Sequence, residues 1–424
     1  MAMIYKVLQW IMRRSLSAHY LQIKADLQKV PKKGPLLIAA NHPNSFLDAI
    51  IIACLIDRPL HFLARSDVFA KSWSDYILRQ LNLIPIYRKQ EGIDKLDKNQ
   101  HTFEESSAVL ADGGAILVFV EGVSVMDMKL RPLKKGLGRI IVKHLQAKPN
   151  ARLKVASIGI NYDRPKEFRS KVLVASGDTV EVNSAWLNEF NHPHKAIISL
   201  NDRIYQELAA HIIQVEDEEE TEFHTLSEMD SSYRENSLSR KILIAKTIKK
   251  MQELHPIQAS RLKEDSRRAQ EILSQYRLNY RKLKSHQGFD YSRLLIWIVL
   301  MPLAGFSLLI NIVPLLAGKL ITQYTVKEVE FYASVRIVLN SLLWLFFQLA
   351  ISMLLSQFHW LGILYMPLAY MFLRFYLWYR ESTHYLRSTR RLMKLRKAKK
   401  DYLELQGLLK EIYRIRASFG LGQH

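Results

Sequence analysis

The sequence lacks several features that would assign it to a common class of proteins. Cys54 is the only cysteine, which excludes a disulfide framework and a zinc site built from cysteine ligands. There is no GxxxxGK phosphate loop, which argues against a nucleotide hydrolase, and no His, Cys or Asp cluster has metal-ligand spacing. The segment 1–20 has no long apolar run and no small-residue cleavage site. We therefore expect no secretory signal and a cytoplasmic orientation.

Acidic residues are also few. The 424 residues include 40 Asp and Glu against 61 Lys and Arg, which gives a formal net charge of +21. Such an excess predicts a polyanionic partner, either nucleic acid or an anionic membrane surface. Because 49% of the residues are hydrophobic, the chain is not largely disordered, and its length suits about two or three domains.

Two uncharged apolar runs decide between these partners. They are Leu294–Gly318, which two prolines and a glycine interrupt, and Ile337–Leu373, which has a polar interruption at 356–359. A transmembrane helix needs about 20 apolar residues, so both runs are long enough to span a bilayer. We expect the first run to form a bent span or a re-entrant loop, and the second run to form two spans. We expect an integral membrane protein with phospholipids as partners and no nucleic-acid partner.

Basic residues flank both runs, in clusters at 282–293, 319–336 and 387–400. If all three clusters face the cytoplasm, each run enters and leaves on the same side. This favours two hairpins over three straight spans, which remain the alternative. The last cluster also indicates contact with anionic lipids.

Before the membrane region, short β-rich runs alternate with helical patterns. This alternation predicts an α/β domain with a mostly parallel sheet flanked by helices, followed by a helical segment and the transmembrane region. The predicted strands are Pro35–Ala40, His61–Ala64, Ile84–Tyr87, Ala115–Val120, Lys154–Ile160 and Lys171–Ala175. The predicted helices are 45–57, 67–80, 98–112, 134–147, 237–253 and 258–286, and the acidic and Ser-rich stretches at 216–220 and 227–239 are expected to be loops.

These patterns predict five regions. They are an interfacial amphipathic helix over 1–30, the α/β domain over 31–210, a polar loop and helical linker over 211–290, membrane-embedded helices over 291–380 and a basic cytoplasmic helix over 381–424. For the first region, a helix packed into the core is the alternative, because only one of its faces is apolar.

The residues with catalytic potential first occur in the segment Asn41–Asp48, which follows a predicted strand and opens a helix. His42 can take a proton while Asp48 fixes its tautomer, which is the arrangement of a general base and its orienting carboxylate. A purely structural His–Asp pair is the alternative interpretation.

Further polar groups follow other strands, where open α/β sheets bind ligands. Arg88 directly follows the predicted strand at 84–87. The sequence FVEGVS covers 119–124, and LRPLKKG covers 130–136. Several cationic side chains in these segments could clamp a phosphate group. They are Arg88, Arg131, Lys134 and Lys135.

The order of these motifs resembles the glycerol-phosphate acyltransferase superfamily, which has four blocks. The first block, NH followed by Asp, is matched by Asn41, His42 and Asp48, and the second block ends at Arg88. The third block, FxEG, is matched by Phe119, Glu121 and Gly122. The fourth block is a strand near Lys154–Tyr162. The sequences NHPNSFLDAI and EGVS followed by LRPLKKG are most similar to the branch that acts on glycerol 3-phosphate or dihydroxyacetone phosphate.

This chain departs from the family pattern at three places, one of which is the usual proline of the fourth block, replaced near Ala156–Ser157. Five residues separate His42 from Asp48, where the common spacing is four. On a helix the extra residue rotates Asp48 by about 100°, unless the turn around Pro43 absorbs it. After FxEG, Val123–Val125 replaces the usual Thr-Arg-Ser, so the phosphate-binding arginine of that block is absent.

The resemblance implies a membrane-bound enzyme of phospholipid biosynthesis. It would move an acyl group from acyl-CoA or acyl-carrier protein, as co-substrate, to glycerol 3-phosphate or dihydroxyacetone phosphate, without a metal or a cofactor. The alternatives are acylation of lysophosphatidate, another lysolipid or an aminolipid, and a non-catalytic lipid-binding member of the fold. The expected catalytic residues are His42 and Asp48, and the expected substrate-binding residues are Asn41, Arg88, Glu121, Gly122 and Ser124. Arg131 and Lys134 are added to the substrate-binding residues as possible replacements for the missing arginine, which is an inference from their charge and not from the resemblance.

Overall fold

The structure of the protein is a computed structural model. It describes residues 2–87, 99–165, 168–229, 238–280, 283, 290–326 and 328–421. The chain divides into two compact units, which are considered separately. The first unit comprises Met1–Ile212 and Thr322–Ser341, and the second comprises Ile213–Ile321 and Leu342–His424.

The first unit is built on one eight-stranded sheet. Its strands are β1 Gln22–Asp26, β2 Leu36–Ala40, β3 His61–Arg65, β4 Leu83–Ile86, β5 Ala115–Phe119, β6 Arg152–Tyr162, β7 Lys171–Ser176 and β8 Val180–Asn183. Their order is β1-β7-β6-β2-β5-β3-β4, with β8 beside β6. β6 runs antiparallel to β7 and β8, and the other pairs are parallel. The predicted α/β class with a mostly parallel sheet is confirmed.

Helices cover both faces of this sheet. They are α1 Ala2–His19, α2 Phe46–Leu55, α3 Ser72–Gln80, α4 Asn99–Ala111, α5 Gly136–Ala147, α6 Ser184–Asn188 and α7 Pro193–His211. Ile38 packs with α1 and α2 on one face, whereas Leu37 packs with α4, α5 and α7 on the other. Because β2 is buried on both faces, its sequence is an uninterrupted apolar run.

Helix α1 is packed on one face and exposed on another. Gln9 Nε2 donates to the Ala53 carbonyl and Arg13 Nε to the Cys54 carbonyl, each at 2.6 Å, which joins α1 to α2. Val7 and Trp10 are exposed. An interfacial role for this helix stays a prediction, and its packed face shows that it also belongs to the α/β core.

The predicted strands and helices differ from the structure at several points. The sequence prediction missed β1 (QIKAD) and β8 (VEVN), because both are short and polar. The helix predicted over 67–80 is a 3-10 turn, Ser66–Phe69, followed by α3.

The second unit is helical. Its helices, with the two that it shares with the first unit, are α8 Glu220–Met229, α9 Leu238–Leu254, α10 Pro256–Gln275, α11 Tyr291–Thr325, α12 Val329–Phe358, α13 Tyr365–Lys397 and α14 Lys399–Ser418. The helix predicted over 258–286 ends at Gln275, where Arg277 adopts φ 52° and Leu278 N–H donates to the Leu273 carbonyl at 2.8 Å. A left-handed residue and this hydrogen bond are typical of a helix C-terminus.

The acidic stretch Glu216–Glu220 is a helix start and not the predicted loop. Residues Asp217–Glu219 form a 3-10 turn that leads into α8. The Glu219 carboxylate accepts from the Glu216 N–H at 3.1 Å, so the acidic side chain satisfies a backbone donor at the helix N-terminus. Most of the Ser-rich stretch that follows, 230–237, lies outside the described residues.

The described residues contain three helices long and apolar enough to cross a membrane, Tyr291–Thr325, Phe331–Phe358 and Trp360–Lys397. The first apolar run is therefore one continuous helix and not a hairpin. Pro314 has no N–H to donate to the Ile310 carbonyl four residues earlier, but Gln348 Nε2 on α12 donates to it at 3.1 Å. This bond compensates for the proline inside the helix.

Candidate active site

The site lies at the edge of the sheet where β2 and β5 end. His42 Nδ1 is 2.9 Å from Asp48 Oδ2. Helix α2 begins only at Phe46, and residues 42–45 form a turn in which Ser45 adopts φ 51°. The extra residue of the His–Asp spacing is thus absorbed before the helix starts, and Asp48 occupies the first helical turn facing His42.

The Asp48 carboxylate is fully buried and is surrounded by donors. Oδ2 accepts from the Asn44 N–H at 2.8 Å as well as facing His42, and Oδ1 accepts from the Tyr162 hydroxyl at 2.6 Å. Because the carboxylate accepts, the proton of the neutral imidazole is on Nδ1. Nε2 is then the basic nitrogen that can take a proton from a substrate.

The imidazole of His42 is held on its flat face as well. The ring of Phe119 stacks on it, with 3.8 Å between centroids and an interplanar angle of 10°. The His42 side chain remains 17% exposed, whereas Asp48 is not exposed at all. The exposed part of the ring is therefore available to a substrate while its orientation is fixed from two sides.

Glu121 is a buried carboxyl group behind His42. Its Oε1 accepts from the His42 backbone N–H at 3.3 Å. Burial raises the pKa of Glu121 to about 7, although the His42 N–H and the charge of Arg131 oppose the shift. Burial therefore favours the protonated form of this carboxyl. The next residue, Gly122, has φ 68°, which is a conformation that favours glycine.

Asn41 and Ser124 hold the backbone of the site together. The Asn41 side chain donates to the Ile160 carbonyl at 3.0 Å and accepts from the Ile160 N–H at 2.8 Å, which ties the end of β2 to β6. Ser124 Oγ accepts from the Ser45 N–H at 2.8 Å. These contacts join the FxEG segment and β6 to the turn that carries His42. A direct role of Asn41 and Ser124 in binding substrate stays a prediction.

The candidate phosphate-binding cations differ in their surroundings. Arg131 forms a bidentate pair with Asp127, at 3.0 and 2.6 Å. Lys135 Nζ is 2.7 Å from His194 Nε2. Lys134 is exposed, and its side chain lies over Gly122, where an added Cβ would be 3.0 Å from Lys134 Cγ. Arg88 lies outside the described residues.

Tyr162 is a site residue that the sequence analysis did not identify. It lies at the end of β6, within the fourth block, and its ring is 6.2 Å from that of Tyr20. Burial raises the pKa of Tyr162 well above its ordinary value, so the hydroxyl keeps its proton and donates to Asp48. A polar aromatic residue ending an apolar strand was the available signal, but its partner depends on the fold.

No group of three or more His, Cys, Asp or Glu side chains that could hold a metal ion occurs in the part of the chain that the structure describes. The arrangement that is present combines a histidine, an orienting carboxylate and a buried glutamic acid at a sheet edge. Chemically, it can remove a proton from a hydroxyl group.

Comparison with known proteins gives relatives for this region. Residues 23–160 match the sequence profile of a family described as Acyltransferase. Glycerol-3-phosphate O-acyltransferase 1 of Saccharomyces cerevisiae is 29% identical over 107 residues, which are 25% of this chain and 14% of the relative. An uncharacterized acyltransferase of Schizosaccharomyces pombe is 23% identical over an alignment of 303 residues, covering 51% of this chain and 45% of the relative. The chain thus matches less than half the length of either relative.

A solved structure is also similar. The 1-acyl-sn-glycerophosphate (LPA) acyltransferase PlsC of Thermotoga maritima has 20% identity and a TM-score of 0.35, over 49% of this chain and 80% of that chain. The match to the family profile includes His42, Asp48, Glu121 and Gly122. The comparisons thus identify residues 23–160 as the part of the chain that matches the Acyltransferase family.

Proposed function

We propose that this chain is a membrane-bound O-acyltransferase that acylates glycerol 3-phosphate or dihydroxyacetone phosphate in phospholipid biosynthesis. The observation that carries the proposal is the 2.9 Å contact between His42 Nδ1 and Asp48 Oδ2 at the sheet edge. The acceptor class is supported by the motif resemblance and by the name of the Saccharomyces cerevisiae relative, glycerol-3-phosphate O-acyltransferase 1.

The proposed reaction is a direct acyl transfer. His42 Nε2 removes the proton of the acceptor hydroxyl while Asp48 stabilises the resulting imidazolium. The acceptor oxygen attacks the thioester carbonyl carbon of acyl-CoA or acyl-carrier protein. An ester bond forms, the carbon–sulfur bond breaks, and the proton passes from His42 to the leaving thiolate. Backbone N–H groups at the sheet edge stabilise the oxyanion.

Lys134 is our candidate for the acceptor's phosphate. Its side chain is exposed and lies over Gly122, the residue that follows Glu121. Arg131 is a poorer candidate, because Asp127 already binds both ends of its guanidinium fork. Arg88 stays a candidate from the sequence alone.

We further propose that the acyltransferase domain faces the cytoplasm. The acyl donors are cytoplasmic thioesters, and three helices of spanning length provide attachment to the membrane. The basic residues between 387 and 400 lie on α13 and α14, where they can contact anionic lipids. In this proposal acyl-CoA or acyl-carrier protein is a co-substrate, and no cofactor or metal takes part.

An acceptor panel tests the proposal. The full chain in membranes is offered labelled glycerol 3-phosphate, dihydroxyacetone phosphate or lysophosphatidate, each with acyl-CoA and with acyl-carrier protein. We expect acylation of one of the first two acceptors. Acylation of lysophosphatidate or another lysolipid alone would assign the chain to the alternative acceptor class. The absence of transfer from either donor would indicate a non-catalytic lipid-binding protein.

The same assay tests the phosphate contact. We expect Lys134→Ala to raise the KM for the phosphorylated acceptor by about 10-fold to 100-fold, because a charge-assisted hydrogen bond contributes about 1.5–3 kcal/mol. Lys135→Ala is the matched control, since its ammonium group is directed at His194. Equal effects of the two variants would contradict a specific contact at Lys134.

A further inference from the structure

Helix α3 exposes a group of large apolar side chains. Trp73, Tyr76 and Ile77 are 65%, 68% and 48% exposed. They stand at positions i, i+3 and i+4 of the helix Ser72–Gln80, so they share one side of it. We call these residues the α3 face. Large apolar side chains clustered on a surface mark an interaction site.

The α3 face lies close to the edge of the sheet that carries the candidate active site. β3 ends at Arg65 and runs parallel to β5, which ends at Phe119 just before Glu121. The chain then passes through the 3-10 turn Ser66–Phe69 into α3. Because parallel strands end at the same edge, α3 begins at the edge that carries His42 and Glu121.

We infer that the α3 face inserts into the surface of the lipid bilayer and so docks the acyltransferase domain on the membrane. A Trp, a Tyr and an aliphatic residue on one side of a helix are the typical composition of an interfacial contact, since each aromatic has an apolar body and a polar tip. The same chain supplies three helices of spanning length, which supports a bilayer as the occupant. The inference rests on the proposed function in one respect only: docking would be useful because it gives the acyltransferase site access to lipid.

The size and charge of the α3 face favour lipid over another protein. Three side chains of this kind present on the order of 400 Å², against the roughly 800 Å² per partner of a stable protein interface. The neighbouring charges are paired with one another, because Arg79 Nε donates to Asp75 Oδ1 at 2.9 Å and Arg79 Nη1 donates to Glu105 Oε1 at 3.3 Å. Docking therefore depends on apolar insertion, and salt should affect it little.

Site-directed spin labelling tests this docking directly. Trp73→Cys, Tyr76→Cys and Ile77→Cys are each labelled with a nitroxide in the full chain and reconstituted into phosphatidylcholine vesicles. Native Cys54 can remain, because it is buried and burial raises the pKa of its thiol to about 12. Ile198→Cys is the matched control, since Ile198 is also an exposed aliphatic residue but lies on a different helix, α7.

We expect the three labels on α3 to collide more with oxygen, which partitions into lipid, than with a water-soluble nickel chelate. The control label at position 198 should show the reverse, and raising the salt concentration should leave both results unchanged. Preferential access of the nickel chelate to all three α3 labels would overturn the inference. Spin–spin broadening that disappears on dilution with unlabelled chain would overturn it too, in favour of a second copy as the occupant.

The measurement is independent of turnover. Docked α3 labels in a chain that acylates none of the tested acceptors would leave the docking intact and reject the proposed function. Aqueous α3 labels in a chain that acylates glycerol 3-phosphate would do the opposite.

Discussion

At the scale of single residues, the site depends on the 2.9 Å contact between His42 Nδ1 and Asp48 Oδ2. His42, Asp48 and Glu121 were predicted as site residues, and the structure brings them together. The five-residue spacing left the approach of His42 to Asp48 open, because a turn can absorb a residue in ways that periodicity does not reveal. Ser45, at φ 51°, is where this happens. Tyr162 could not be paired with Asp48 from sequence, since 113 residues lie between them.

Tyr162 is a positioning residue in this account, and Tyr162→Phe tests it. The variant removes the donor 2.6 Å from Asp48 Oδ1 and leaves the rest of the ring in place. A hydrogen bond to a charged group contributes about 1.5–3 kcal/mol, so we expect kcat to fall by about 10-fold to 100-fold. The KM for the acceptor should not change, because the hydroxyl lies behind Asp48. Steady-state kinetics of the purified variant gives both values.

Tyr20→Phe is the control for Tyr162→Phe. Tyr20 is a buried neighbour of Tyr162, but the hydroxyl that donates to Asp48 belongs to Tyr162. An equal loss of kcat in both variants, or a rise of KM without loss of kcat in Tyr162→Phe, would contradict a positioning role.

At the scale of helices and strands, the apolar and central elements were predictable and the polar or peripheral ones were not. The strand over 35–40 was predicted because it is buried on both faces and is wholly apolar. The edge strand β1, with the sequence QIKAD, was missed because only pairing with β7 makes it a strand. The acidic residues 216–220 have loop composition, but a side-chain contact at the helix N-terminus makes them the start of α8.

The packing of β6 against the end of α7 gives a prediction at this scale. A Cβ added at Gly159 would lie 2.5 Å from the His211 carbonyl oxygen, whereas one added at Gly136 would have no neighbour within 4 Å. Gly159→Ala should therefore destabilise the first unit by about 1–3 kcal/mol, as overpacking does. Gly136→Ala, at the first residue of α5, should be neutral or slightly stabilising. Thermal unfolding in detergent compares the two, and equal melting temperatures would contradict the close approach.

At the scale of the whole molecule, the alternation of β-rich and helical patterns was sufficient to predict the α/β domain, and the two long apolar runs predicted the membrane region. The number of spans was harder to predict from the sequence. Charge clusters indicate which side of the membrane a loop faces, but they do not show whether a proline-containing run is one helix or a hairpin. The hydrogen bond of Gln348 to the Ile310 carbonyl, across 38 residues, keeps the first run helical. No local pattern predicts such a contact.

The central claim is that His42 is the general base of an acyltransferase whose membrane attachment lies elsewhere in the chain. The three helices of spanning length begin at Tyr291, so His42→Ala should leave the protein in the membrane fraction. Alanine cannot accept a proton, and general-base catalysis contributes about 10²–10⁴-fold. Because the side chain is partly exposed, its loss should change the melting temperature little.

The most direct test measures turnover and melting temperature on one preparation of His42→Ala, with the wild-type chain beside it. The account predicts a membrane-bound protein with a melting temperature close to that of the wild type and turnover reduced by at least about a hundredfold. A variant that melts early but retains near-wild-type turnover per folded molecule would show that His42 is a structural residue, and would contradict the proposed mechanism.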